Sequence, residues 1–456
     1  FRADKSKVQP TMLALAGLIP GDDGLSSLDE MLDRYRSWIS DNEQRKDVPE
    51  RLTKAAKRHM ANCTQAVNRM EAGMKYLKGT PKALRAFQLA NRAVLLQQLA
   101  TAVETRYEQY DAKQKKYHFP EAYHEPDLND IPVGVGLWRP FQIAFLLTAL
   151  ESTANPSAQD RDIVELLWFP TGGGKTEAYL GLTAFSIFLR RLNDPDDIGT
   201  QVIMRYTLRL LTSQQFQRAS SLICAMEVIR HGFGDELGST PFSIGLWLGG
   251  GTTPNTKQSA ISAYKSMARG DHPEITFAVV ECPWCRAAIG PREHSPRDGS
   301  KVSGYKQRGK DIVIACSDKA CPFFDELPLH VVDTDIYEKR PALVIGTIDK
   351  FAQLTWRDEA RALFGLDVNG RQEYSPPGLI IQDELHLISG PLGSMVGLYE
   401  VLIEHLSTDR RGDLPVRPKI VSSTATIKRS EQQIMDLYAR DESALFPPQG
   451  IDAGDS

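Results

Sequence analysis

Cysteine is scarce in this chain: six in 456 residues, four of them in two close pairs. A disulfide scaffold needs a far denser supply, so the thiols point to a reducing compartment and the expected location is the cytoplasm. Long apolar runs are missing as well. Uncharged stretches such as Ile143-Ala-Phe-Leu-Leu-Thr-Ala-Leu150 fall well short of the ~20 residues that cross a bilayer, so no membrane is expected as a partner. No basic-then-apolar leader opens the sequence, which argues against export; starting at Phe1 and not Met, it reads as a piece of a longer product. Neither charge dominates: 54 Lys and Arg against 58 Asp and Glu leave a net charge of -4. That excludes a uniformly basic nucleic-acid coat but not a local basic groove. Internal repeats and low-complexity tracts are absent too. What remains, 41% hydrophobic and 25% charged, is the balance of a folded chain, long enough for two to four domains at roughly 100–200 residues each.

The first part reads as helical. Leu28, Met31, Leu32, Tyr35, Trp38 and Ile39 share one helical face, with Ser27 and Glu30 at capping-box spacing. A second stripe runs Leu52, Ala56, Met60, Cys63, Val67, Met70, Met74 and is punctuated by Gly79 and Pro81. A third helix is expected from Leu84 to about Tyr110. These Met and aromatic stripes read as packing, not as a cofactor box. Residues 1–125 are therefore expected to form a helical N-terminal domain, with the proline-bearing stretch Tyr117 to Val135 as a linker. From Leu137 onward short apolar runs alternate with helical segments: Ile163–Phe169, Gln201–Tyr206, Phe242–Leu248, Ile275–Val280, Ala342–Gly346, Leu379–Gln382 and Ile420–Ser423. Runs without polar alternation suit strands buried on both faces, so residues 126–456 are expected to be α/β with a mostly parallel sheet.

Two segments carry chemistry. The run Ile163–Phe169 leads into Pro170-Thr-Gly-Gly-Gly-Lys-Thr176 and then a helical stretch. Glycines let backbone N–H groups curl inward, and a helix N-terminus adds its positive dipole end, so Thr171, Gly172, Gly173, Gly174, Lys175 and Thr176 form a candidate phosphate loop. Lys175 would reach the β- and γ-phosphates of ATP, and the Thr176 hydroxyl would hold Mg²⁺. The strict pattern has glycine where Phe169 stands, so the match is partial. Gly378-Leu-Ile-Ile-Gln-Asp-Glu-Leu-His386 is an apolar strand ending in two carboxylates, which would open into the ligand crevice of an α/β sheet. Asp383 would hold Mg²⁺ through water, and Glu384 would orient and deprotonate the attacking water.

Cys282-Pro-Trp-Cys285 and Cys316-Ser-Asp-Lys-Ala-Cys321 are two knuckles able to bring four thiolates to tetrahedral distance, as structural Zn²⁺ requires. The gap between the pairs exceeds the usual ribbon spacing of roughly 15–20 residues, which suggests an extended loop. A zinc-ribbon-like insertion is expected over 281–330. Arg286, Arg292, Arg297, Lys301, Lys306, Arg308 and Lys310 give it basic character, either to touch nucleic-acid phosphates or simply as a solvated loop. Cys63 and Cys224 read as core.

These residues resemble superfamily 2 helicases, whose Walker B box has the form Asp383-Glu384-Leu385-His386. The fold implied is a P-loop RecA-like domain, and further motifs stand in the family's order. Arg139-Pro-Phe-Gln142 is similar to the adenine-reading Q motif, which implies that Gln142 reads adenine. Thr207-Leu-Arg-Leu-Leu-Thr-Ser-Gln214 looks like motif Ia, Gly249-Gly-Gly251 sits at a common glycine station, and Thr347-Ile-Asp-Lys350 looks like motif Ib. Thr424-Ala-Thr426 is similar to motif III, which with His386 implies coupling roles for His386, Thr424 and Thr426. Thr207, Arg209, Thr347 and Lys350 are the implied DNA contacts. Within the superfamily, Leu137-Trp-Arg-Pro-Phe-Gln-Ile-Ala-Phe145, the stretch around the phosphate loop, Met204-Arg-Tyr-Thr-Leu-Arg-Leu-Leu-Thr212 and Ala86-Phe-Gln-Leu-Ala-Asn-Arg-Ala93 resemble the large helicase subunit of bacterial DISARM anti-phage systems. That implies a DNA substrate and a second, separately encoded subunit. The second RecA-like domain, which in the superfamily supplies the arginine finger, is missing from this chain, so the segment alone is expected to hydrolyse ATP poorly. The leading reading is an ATP-driven DNA helicase or translocase. Its alternatives are an RNA-directed or protein-remodelling ATPase of the same superfamily, and a nucleic-acid-binding scaffold that uses ATP as a switch.

Overall fold

The computed structural model describes residues 8–169, 174–249, 251–271, 277–297, 299–424 and 429–452, without the side chains of 209–211. It opens with the short α1 (Met12–Leu15) and three long helices, α2 (Leu25–Glu43), α3 (Thr53–Gly79) and α4 (Pro81–Thr101). Pro81 at the first position of α4 allows a turn with no helix interrupted, because its missing N–H would be unpaired there in any case. The chain then leaves the helical layer through a small hairpin, β1 (Gln109–Asp111) and β2 (Lys116–His118).

The α/β part follows as α5 (Pro140–Ala154), β3 (Val164–Trp168), α6 (Lys175–Asn193), β4 (Val202–Tyr206), α7 (Arg209–Gly232), α8 (Gly234–Leu237), β5 (Ile244–Trp247) and α9 (Lys257–Arg269). Short strands β6 (Gly290–Pro291), β7 (Val302–Ser303), β8 (Tyr305–Arg308) and β9 (Asp311–Ile314) build the cysteine-bearing module. The chain returns as β10 (Leu329–His330), α10 (Asp333–Lys339), β11 (Leu343–Thr347), β12 (Leu379–Gln382), α11 (Gly390–Ser407), β13 (Lys419–Thr424), α12 (Ser430–Tyr438) and β14 (Ser443–Phe446). Eight strands form one sheet in the order β10-β5-β11-β4-β12-β13-β3-β14, every neighbouring pair parallel. The fold is thus α/β with a parallel RecA-like sheet behind a helical N-terminal region, as the sequence led one to expect. Strands β3, β4, β11, β12 and β13 are buried almost throughout, which explains why they are mostly apolar without polar alternation.

One apolar core joins α2, α3 and α4 to α5, α6, α7 and one face of the sheet; a second fills the other face beneath α10, α11 and α12. Helices α3 and α5 approach so closely that a Cβ on Gly73 would sit 2.1 Å from the Leu147 carbonyl oxygen. Two of the sequence blocks that carried the family resemblance meet here: the fully buried Trp138 donates its indole N–H to Asn91 Oδ1 of α4 at 2.7 Å. A buried charge cluster ties the same layers. Glu165 of β3 lies between Arg69 of α3 and Lys419 of β13, 2.8 Å from the latter. Burial pushes its carboxyl up, but the two cations outweigh this and hold it below the usual carboxylate range.

Two expectations need correcting. The run expected as a strand at Ile275–Val280 lies partly outside the described residues, and its described part, Phe277–Val280, forms no strand; Ala278 takes a left-handed backbone with φ 55°. The third helix ends at Thr101 and not near Tyr110, because Arg106 leaves to pair with the cysteine module.

Candidate nucleotide site and cysteine cluster

In a parallel sheet the C-terminal strand ends share one edge, where side chains open into a crevice. Here Trp168 of β3 is in register with Thr424 of β13, and Gln382 of β12 with Ser422 of β13 and Arg205 of β4. This brings the start of α6, the Asp383-Glu384 pair and the end of β13 together. A cleft of about 790 Å³ lies over them, lined among others by Gln142, Gly174, Lys175, Thr176, Asp383 and Glu384. That size suits a nucleotide.

Gly174 has φ 91° and precedes the first residue of α6, Lys175. A Cβ there would lie 2.8 Å from Gln142 Nε2, so the position needs glycine twice over. Lys175 is buried, and its Nζ has no hydrogen-bond partner among the described residues. Its nearest opposite charge is Glu384 Oε1 at 3.7 Å. A buried ammonium without a donor-satisfying partner is costly unless a ligand anion completes its shell. Glu384 adopts φ 51°, a left-handed conformation rare outside glycine and asparagine, which turns its carboxylate back toward the cleft. His386 Nδ1 lies 3.3 Å from Glu384 Oε2 and 3.5 Å from Thr424 Oγ1, linking the β12 end to the β13 end. Asp383 accepts from the Tyr179 hydroxyl at 2.9 Å, from the Glu384 N–H at 2.9 Å and from Ser423 Oγ.

Gln142 lines the cleft but has both amide ends engaged. Its Oε1 accepts from the Arg139 N–H at 3.0 Å, and its Nε2 donates to the Gly174 carbonyl at 2.9 Å. In this conformation it caps α5 and pins the phosphate loop's last residue. Thr171, Gly172, Gly173 and Thr426 lie outside the described residues, as does the side chain of Arg209. Tyr179, Tyr206 and Ser423 had no role in the sequence reading. Tyr179 was legible in principle, since position i+4 from Lys175 falls on the same helical face.

At the other end of this edge the structure differs from expectation. Lys350 follows β11, is 1% exposed, and pairs with buried Asp333 at 2.6 Å. Burial raises the Asp333 carboxyl above its ordinary range although Lys350 pulls the other way. Thr207 and Thr347 carry buried hydroxyls with no partner among the described residues. No phosphate can reach Lys350 while it is so paired.

The four cysteines Cys282, Cys285, Cys316 and Cys321 are buried, unbridged, and have sulfurs within 4.8 Å of one another. Each knuckle is fixed by backbone: the Arg286 N–H reaches the Cys282 carbonyl at 3.0 Å, and the Asp318 N–H points at Cys316 Sγ from 3.3 Å. A tetrahedral site with metal–sulfur bonds of about 2.3 Å has sulfur–sulfur edges near ~3.8 Å, so the cluster is compatible with zinc. The long gap between the pairs is filled by β6–β7 and β8–β9. Arg106 braces both knuckles, donating to the Cys285 carbonyl at 3.0 Å and pairing with Asp318 at 2.9 Å. Much of the module's basic character is neutralised: Arg286 pairs with Glu281, Arg292 with Glu108, and Arg308 with Glu326. Pro283 and Arg286 of the first knuckle also line the nucleotide cleft.

A parallel sheet carrying Lys175 and Thr176 after one strand and Asp383-Glu384 after another defines a RecA-like P-loop domain. The chain is similar to the DISARM protein DrmA of Bacillus paralicheniformis, 34% identical over an alignment of 476 positions covering 95% of this chain, so the resemblance to the DISARM large subunit is borne out along nearly its whole length. It spans 40% of that relative's length. No family model matches. Among solved structures, the DUF1998 helicase MrfA is 13% identical over 70% of this chain and 30% of its own, with a TM-score of 0.35. MrfA bound to DNA gives 14%, 68%, 27% and 0.36, and Mss116p bound to ssRNA and AMP-PNP gives 10%, 67%, 42% and 0.35. No helix among the described residues is long and apolar enough to cross a membrane.

Proposed function

We propose that the chain is the nucleotide-binding part of an ATP-driven DNA helicase or translocase subunit that works in cytoplasmic anti-phage defence with a separately encoded partner. The observation that carries the nucleotide reading is Lys175 Nζ, buried, without a hydrogen-bond partner among the described residues, and 3.7 Å from Glu384 in a cleft also lined by Thr176 and Asp383. Lys175 and the amides of the phosphate loop would bind the phosphates of ATP, and Thr176 and Asp383 would hold Mg²⁺. Bound Mg²⁺·ATP supplies the γ-phosphoryl group whose transfer to water is the reaction. Glu384 would orient that water and take its proton at the carboxylate, while His386 steadies Glu384 and relays its position to Thr424 and Thr426.

A structural zinc at Cys282, Cys285, Cys316 and Cys321 is part of the reading. DNA phosphates would lie along the edge beyond β4 and β11, near Thr207 and Arg209; the hydroxyls of Thr207 and Thr347, without a partner among the described residues, are buried and would have to be uncovered to reach them. Lys350 could join them only by exchanging Asp333 for a phosphate. The domain boundaries follow the same reading: helical domain 1–125, RecA-like domain 126–456 and metal-bearing insertion 281–330.

The test is ATP hydrolysis by the full-length protein with double-stranded DNA, single-stranded DNA and RNA. Stimulation by DNA supports the proposal, and stimulation by RNA alone overturns the DNA track. Nucleotide binding unchanged in Lys175→Ala would overturn the site.

A further inference from the structure

Thr176 and Asp383, the two residues assigned to Mg²⁺, come from different elements, and Tyr179 stands between them. It lies one turn beyond Lys175 on α6, with its ring 1% exposed. Its hydroxyl is 2.9 Å from Asp383 Oδ2 and 3.4 Å from Thr176 Oγ1. A phenol has one proton to donate. Between a carboxylate and a neutral hydroxyl the proton goes to the carboxylate, because charge-assisted hydrogen bonds are roughly twice as strong. The phenolic oxygen then offers Thr176 only lone pairs, so the proton in the second contact is the threonine's. The relay has one direction: Thr176 Oγ1–H to Tyr179, and Tyr179 O–H to Asp383 Oδ2. The other carboxylate oxygen, Oδ1, is held by Ser423 Oγ and by the Glu384 N–H.

We propose that Tyr179 is a positioning residue for the magnesium ion: by accepting the Thr176 proton and donating its own to Asp383, it turns free lone pairs of both groups toward the metal. A ring that only filled the core would need no hydroxyl. The inference rests on the nucleotide reading of the cleft.

The experiment is titration calorimetry of the full-length protein with a non-hydrolysable ATP analogue, in Mg²⁺ and in EDTA. Wild type should bind more tightly with Mg²⁺. Tyr179→Phe should lose about tenfold of that tightening, the scale of one hydrogen bond to a charged group. Its affinity in EDTA should stay within about twofold of wild type, and the variant should still fold, with a melting temperature lowered only by the loss of one buried hydrogen bond. In an Asp383→Asn background, where the acceptor is neutral, removing the hydroxyl should add nothing. Full Mg²⁺ tightening in Tyr179→Phe would overturn the proposal. So would an equal loss with and without Mg²⁺, or a variant that no longer folds, since the hydroxyl would then serve the fold. If wild type itself shows no effect of Mg²⁺, the nucleotide reading fails instead.

Discussion

Two stretches of the sheet's C-terminal edge, on either side of β4, use the same kinds of residue in opposite ways. At the β3–β12 end, Lys175 and Glu384 face an open cleft 3.7 Å apart, and the lysine has no hydrogen-bond partner among the described residues. At the β11 end, Lys350 and Asp333 form a closed pair at 2.6 Å in the core. A lysine left unsatisfied beside a cavity is prepared for a ligand; one already neutralised in the core belongs to the fold until something stronger displaces its partner. Spacing along the chain locates both lysines equally well but cannot tell the two states apart.

The cysteine module lines the first of these sites through Pro283 and Arg286, which gives the largest expected effect. Cys282→Ser should release one zinc per chain, because structural zinc contributes folding free energy of roughly 10–16 kcal/mol in small sites. Nucleotide affinity should fall as Pro283 and Arg286 lose their fixed position, while the Lys350–Asp333 end stays folded. Metal analysis finding no zinc in protein purified without chelator would remove the metal from the proposal. Next in size, Glu384→Gln should bind ATP yet hydrolyse it about 10²–10⁴-fold more slowly, the usual scale for a general base. Turnover at the wild-type rate would mean that another group activates the water.

Lys350→Ala sharpens the contrast at the far end. Removing one member of a buried pair leaves an uncompensated carboxylate, so denaturant unfolding should show a loss of about 3–5 kcal/mol. If stability instead holds and the salt dependence of DNA binding drops by about one counterion, Lys350 faces the DNA and the buried pair is not its working state. The smallest effect is expected from Thr207→Val, which removes a hydroxyl and no charge. DNA binding should weaken by about 1 kcal/mol across all sequences without a change in salt slope. Sequence-dependent weakening would point to base contacts.

The central strands were legible because burial on both faces favours consecutive apolar residues, as in Leu379-Ile-Ile381. The edge strands β10 and β14 were not: runs of two and four residues, with His330 in one and Ser443 in the other, carry no periodicity to read. Ile275–Val280 shows the converse error, an apolar run whose described residues form no strand. At the nucleotide end, Lys175, Thr176, Asp383 and Glu384 converge because each stands at a strand end or helix start, and such junctions show in sequence. Tyr179 went unread because its value depends on a carboxylate 204 residues away. The pairing of Lys350, expected as a DNA contact, with Asp333 was not legible, because nothing in its motif announces that partner.

Arg106 sets a timetable for synthesis. Its guanidinium is buried against the Cys285 carbonyl, 179 residues further along the chain, and against Asp318 beyond that. At translation rates of roughly 5–20 residues per second, α4 emerges some 10–40 s before the surface that seats it exists. During that interval Arg106 has only its nearer partners, the Glu121 carbonyl and the Phe119 and Tyr123 rings, so the last step of its packing is post-translational relative to its own residues.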